Sequence, residues 1–155
     1  MQQYDYQNNI LILKVRKSPI LVRTIMFLFT FLLFALPIGG AITGILSGRG
    51  FHISYFIAIS VFSLLGFFFL RISLWNTYGQ ETIQIFENKV IYEANYGWFK
   101  DGRKETPITD AKYYYNRAGY EEDNEGVLVI ASGDAQIESV VKMPISQLEE
   151  LLKFL

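Results

Sequence analysis

FFFLRISLWNTYGQETIQIF, residues 67–86, decides how the chain divides. It opens with four residues suited to hydrocarbon and closes with Thr82-Ile83-Gln84-Ile85, which alternates like a half-wet strand. Arg71 and Trp75 stand between. Upstream, Phe51–Leu70 is 20 residues long, and His52 near its start is its only chargeable group. Before it, Thr24–Leu46 is 23 residues without a charge. At ~1.5 Å per residue such segments reach roughly 30–35 Å, enough for a hydrocarbon core of about 30 Å. Only Ser47-Gly48-Arg49-Gly50 joins them, so they must run antiparallel as neighbours. The expectation is an N-terminal segment 1–23, a two-helix transmembrane hairpin 24–70 (24–46 and 51–70) and a β-domain 71–155.

Other readings of the apolar runs are weaker. Two core helices this apolar need a large soluble shell, which residues 71–155 are too few to build. A signal peptide carries an apolar stretch of about 7–15 residues close to the N-terminus. Here the first run is longer, begins at residue 24 and is followed by a second. Lys14, Arg16, Lys17 and Arg23 precede the first span and Arg71 follows the second, whereas the tip offers only Arg49. Positive flanks stay on the cytoplasmic side, so both termini are expected in the cytoplasm and residues 47–50 outside. Arg23, Arg71 and Trp75 then serve as interfacial anchors, the arginines snorkelling toward headgroups. The chain has no cysteine, which removes disulfides and thiolate metal sites.

From Gln80 onward the period is two. Glu81–Phe86 and Lys89–Tyr96 read as strands about a Glu87-Asn88 turn, and Asp101-Gly102 is expected to be a hairpin turn. A further strand runs toward Ile108, with Pro107 restricting it to an edge or a terminus. Ala111–Arg117 is aromatic-rich, Gly119–Gly126 a loop, Val127–Ala131 a strand, Ser132-Gly133-Asp134 a turn, and Gln136–Lys142 alternates. Ser146 and Glu149 have the spacing of a capping box for a helix 146–155, with Leu148, Leu151, Leu152 and Leu155 on one stripe. Asn9–Lys17, before the hairpin, is either a strand joining the later sheet or an interfacial segment. The fold class is an α-helical transmembrane hairpin plus a mostly antiparallel β-domain closed by a C-terminal amphipathic helix.

The lead-in LKVRKSP (13–19), the hairpin, ETIQIFENKVIY (81–92), PITDAKYYY (107–115) and SQLEELLKFL (146–155) together resemble one known architecture. The β-part resembles the pleckstrin-homology (PH) superfold. With the hairpin before it, the chain resembles bacterial membrane-anchored PH-like proteins, including the YcxB-like group. The likeness lies in the order of elements. It implies an interaction or scaffold module on the inner face of a membrane. It does not imply a phosphoinositide pocket, because Glu81, Glu87 and Glu93 outnumber Lys89 in the first hairpin.

Charge divides the chain. Residues 1–71 carry six Lys/Arg against Asp5, net +5, while residues 72–155 carry eight against fourteen Asp/Glu, net −6. An anionic domain is repelled by an anionic leaflet and by nucleic-acid phosphates, so no nucleic-acid partner is expected.

Gly40, Gly44 and Gly48 recur every four residues, a stripe that lets another backbone approach closely. It would pack on a partner subunit, on a second copy, or on the second helix near Ala58, Ser60, Ser63 or Gly66. Pro37 is expected to kink the span. Tyr113, Tyr114, Tyr115 and Tyr120, with Tyr96 and Trp98, are either core and sheet surface or an interface. Residues 121–125 are acidic but lack the alternate spacing of a calcium loop. His52 has no evident partner. No catalytic, cofactor or metal site is marked, and neither span has a charge in its middle. The expected function is therefore that of a membrane-tethered protein-interaction module, an accessory or assembly subunit of a larger complex. A self-assembling scaffold and a lipid- or small-ligand-contacting module are the alternatives.

Overall fold

The computed structural model describes residues 2–119 and 121–155, without the Glu121 side chain. The chain forms two compact units, one of residues 17–77 and one combining residues up to Arg16 with Tyr78–Leu155.

The first unit is a helical hairpin. α1 runs Ile20–Gly44, a wide π-helical turn covers Ile45–Arg49, and α2 runs Ile53–Tyr78. Both helices are long and apolar enough to cross a membrane. The reversal is made by glycine: Gly48 and Gly50 have φ of 77° and 71°, a region that costs residues with a Cβ. α2 does not stop at Leu70. It continues through Arg71 and Trp75 to Tyr78, eight residues past the expected end of the span, and the border between the units falls after Thr77. Three polar side chains of this extension bond back to the preceding turn of the helix. Ser73 Oγ donates to the Phe69 carbonyl at 2.8 Å, Asn76 Nδ2 to Ile72 at 2.9 Å, and Thr77 Oγ1 to Ser73 at 2.8 Å.

The second unit is built from two antiparallel sheets. The first has the order β1 (Tyr4–Gln7), β2 (Ile10–Lys14), β3 (Gln80–Ile85), β4 (Lys89–Asn95), β5 (Lys100–Pro107). Residues 10–14 are thus a sheet strand, with Leu11 opposite Ile83 and Lys14 opposite Gln80. β1 has no counterpart in the sequence reading. Its turn is Asn8-Asn9, both at positive φ, the geometry a two-residue hairpin requires. In the second sheet β7 (Glu125–Ser132) lies between β6 (Lys112–Arg117) and β8 (Ala135–Glu138), and also pairs with the short β9 (Met143–Pro144). Leu11, Leu13, Ile83, Val90, Leu128, Val129 and Met143 fill the interior, where Leu148 and Leu151 of the closing helix join them.

Two local expectations are corrected. The turn between β4 and β5 is made by residues 96–99, not by Asp101-Gly102. Asn95 Oδ1 accepts from Gly97 N–H at 2.8 Å, Tyr96 N–H donates to the Phe99 carbonyl at 2.9 Å, and Gly97 has φ 87°. Asp101 and Gly102 lie inside β5 instead. The pairing shifts between Tyr92 and Ala94, and Gly102 at φ 65° supplies the bulge. The capping box is also absent. α3 runs Ile145–Leu151 with Pro144 before it and no side-chain cap. β9 delivers the chain directly into the helix, Ile145 N–H donates to the Asn124 carbonyl at 3.0 Å, and Ser146 is already helical.

Candidate functional site

Within the hairpin, small residues of one helix face large ones of the other. A Cβ on Gly44 would overlap the Tyr55 hydroxyl, and one on Gly66 would lie 2.7 Å from the Phe34 ring. Phe29 and Phe69 meet edge to face at 5.0 Å. Thr30 and Ser73 hydroxyls lie 3.3 Å apart in a buried contact across the helices. The glycine stripe is thereby divided. Gly44 packs on the hairpin's own Tyr55, Gly40 has nothing within 4 Å of an added Cβ, and Gly48 lies past the end of α1 in the reversal. Of the expected anchors, Arg23 lies one turn into α1, while Arg71 and Trp75 fall inside α2. His52 precedes α2 with its ring edge-on to Tyr55 at 5.9 Å.

In the β-unit the aromatic candidates occupy different places. Tyr96 is buried and stacks on Phe99 at 4.8 Å, whereas Trp98 beside it is 70% exposed. On β6, Tyr113 and Tyr115 share a half-buried face and Tyr114 is exposed on the other. Tyr115 hydroxyl donates to Glu149 at 3.2 Å. Burial, and then Tyr6 nearby, raise the Tyr113 phenol above its ordinary pKa. Tyr120 lies outside the described residues. The candidates therefore do not converge on one patch.

A polar centre that the sequence did not mark lies in the core of this unit. Glu81, on β3, has no exposed surface. Its Oε1 accepts the Tyr92 hydroxyl at 2.7 Å and the Val140 N–H at 2.7 Å, and its Oε2 accepts the Val141 N–H at 3.4 Å. Glu81 thus ties the first sheet to the segment between β8 and β9. Burial pushes its carboxyl above the ordinary range, against the lowering effect of these donors. Burial, followed by the Glu81 charge, raises the Tyr92 phenol in turn. Ser139 plays a companion part, accepting Leu128 N–H at 2.9 Å and donating to the Val141 carbonyl at 3.2 Å. These bonds join parts of the β-unit that are distant along the chain.

A cleft of about 460 Å³ lies on the surface of this unit, lined by Tyr4, Asp5, Tyr6, Lys14, Glu150 and Phe154. It combines charges of both signs with aromatic rings. Among the described residues no three His, Asp or Glu side chains are grouped to hold a metal ion. Comparison with known proteins adds no relative: no family model, no curated protein and no solved structure matches this chain.

Proposed function

We propose that the chain is a membrane-tethered protein-interaction module whose helical hairpin holds the β-unit at the inner face of a bacterial cytoplasmic membrane. The observation carrying this reading is the exposure of the two apolar helices. In their most apolar 18-residue windows only 17% and 6% of residues are buried. A soluble core helix is mostly buried, and large apolar surface left in water is unstable, so lipid is the solvent that fits. The Lys/Arg flanks at Lys14, Arg16, Lys17 and Arg23 support a cytoplasmic N-terminus. Two antiparallel sheets closed by a C-terminal helix support the PH-like reading of the β-unit.

The module acts by tethering. Confinement to one surface converts a weak contact of the β-unit into an effectively intramolecular one. As an accessory or assembly subunit it would offer the Tyr4–Phe154 cleft or the Tyr114 face to a protein neighbour. The test is gentle solubilisation of the tagged protein at native expression, followed by analysis of what co-purifies. A discrete complex of fixed stoichiometry supports the subunit reading, and recovery of the chain alone across detergents sinks it. Recovery as a homo-oligomer favours the second reading, a self-assembling scaffold, for which the open face at Gly40 is the supporting observation.

A further inference from the structure

One end of the first sheet differs in chemistry from the rest of the β-unit. Antiparallel register sets the end of β2, the start of β3 and the end of β4 level with one another, since Lys14 pairs with Gln80 and Gln80 with Asn95. Val15 N–H donates to the Gly79 carbonyl at 3.0 Å, which holds Arg16 at the same end. The β4–β5 turn stands there too. Gly97 is pressed against Tyr78, so that an added Cβ would lie 2.7 Å from the Tyr78 Cβ. The result is a rim where Trp98 is 70% exposed, Tyr78 is 50% exposed and Arg16 is exposed. Residues 14–16, 78–80 and 95–98 contain Lys14 and Arg16 and no carboxylate. That composition stands out in a β-unit, residues 1–16 with 78–155, that carries ten Lys/Arg against fifteen Asp/Glu, net −5.

We propose that this rim contacts lipid, with the Trp98 indole seated among the headgroups of the bilayer that the helices cross. The proposal rests on the reading of α1 and α2 as membrane spans. Tyr78 is the last residue of α2 and Gln80 the first of β3, so a single residue, Gly79, joins the span to this end of the sheet. An indole has an apolar body and one N–H donor, which suits it to the headgroup layer better than to water or hydrocarbon. A guanidinium at Arg16 can engage a lipid phosphate with two parallel hydrogen bonds. The missing carboxylates remove the repulsion that an anionic leaflet exerts on the rest of the unit.

The chain has two tryptophans, which makes the test direct. The full-length protein is reconstituted in phosphatidylcholine vesicles containing brominated phosphatidylcholine. W75F leaves Trp98 as the only indole, and W98F leaves Trp75. The expected result is quenching in both, with Trp98 emission blue-shifted and quenched more by bromine near the headgroup than by bromine deep in the chain. If Trp75 is quenched while Trp98 emits as a water-exposed indole, the rim does not touch lipid and the proposal is overturned, although the spanning reading stands. If neither is quenched, the spanning reading fails and the rim falls with it. W75Y provides a second Trp98-only sample should W75F perturb the helix, and circular dichroism checks that each variant is folded.

Discussion

The hairpin and the β-unit are inverted versions of each other. In the hairpin many large apolar side chains point outward, Phe31 and Leu64 being 64% and 74% exposed, while Gly44, Gly66, Thr30 and Ser73 face inward. In the β-unit leucine, isoleucine and valine are inside and the charges outside, with Glu81 the buried exception. The difference shows which force assembles each part. Burial of apolar area from water drives the β-unit. On the proposed membrane-spanning reading it offers little to the helices, where close packing at small residues and contacts between hydroxyls would serve instead.

The contrast can be broken by making one chemical change in both places. Leu11→Ala, in a fully buried position of β2, should destabilise the β-unit by about 2–5 kcal/mol. Leu64→Ala, on the outer face of α2, should change stability by less than about 0.5 kcal/mol. Denaturant titration of the detergent-solubilised variants reads both. Similar losses would mean that α2 has a buried outer face and that the inversion is wrong.

Glu81 offers the next effect in size. Glu81→Ala strands the Tyr92 hydroxyl and two backbone N–H groups, at a cost of about 1–3 kcal/mol for each donor that water cannot reach. Its pH dependence has a definite sign. Because the folded-state pKa is raised, this group's contribution to stability is full below its unfolded-state pKa and is lost as pH rises through the folded value. Glu81→Gln should therefore flatten the fall in stability of the β-unit between acidic and neutral pH. An unchanged slope in urea midpoints measured across that range would reject the assignment.

Within the hairpin, Gly66→Val forces a side chain into the Phe34 ring and should cost about 1–3 kcal/mol. Gly40→Val meets open space and should be neutral for the monomer, while lowering any self-association read by crosslinking. Ser73→Ala falls between the two, removing one interhelical hydroxyl contact worth about 0.6 kcal/mol. Thermal unfolding in detergent can rank the three.

The legibility of each region follows from the same physics. The helices were plain because a long apolar run without charge has few alternatives, but their far end was not. Arg71, Ser73, Asn76 and Thr77 look like departure from a helix, and only the bonds back to the preceding turn show that it continues. Period two located β3, β4 and β7, yet Asp101-Gly102 suits a bulge as well as a turn, and the Asn95–Gly97 bond had already closed the hairpin. Ser146 lost its capping role to β9, whose pairing with β7 is non-local. Glu81 counted in the sequence only as one more charge, because its donors at Tyr92, Val140 and Val141 are distant along the chain. The aromatic candidates were recognisable as residues, but their dispersal between core, rim and sheet face depends on tertiary structure.

The pairing of β2 with β3 has a consequence for how the protein is made. These two strands are neighbours, yet everything from residue 15 to residue 79 is synthesised between them. The central ladder of the first sheet therefore cannot zip until both helices have left the ribosome. Closing so long a loop from a random coil is slow, and a helical hairpin that forms first brings its ends together and shortens the search. Until then Ile10–Lys14 waits as an unpaired edge, and a nascent chain whose helices go astray presents that edge to its neighbours. The connectivity makes completion of the sheet a readout of successful assembly of the hairpin.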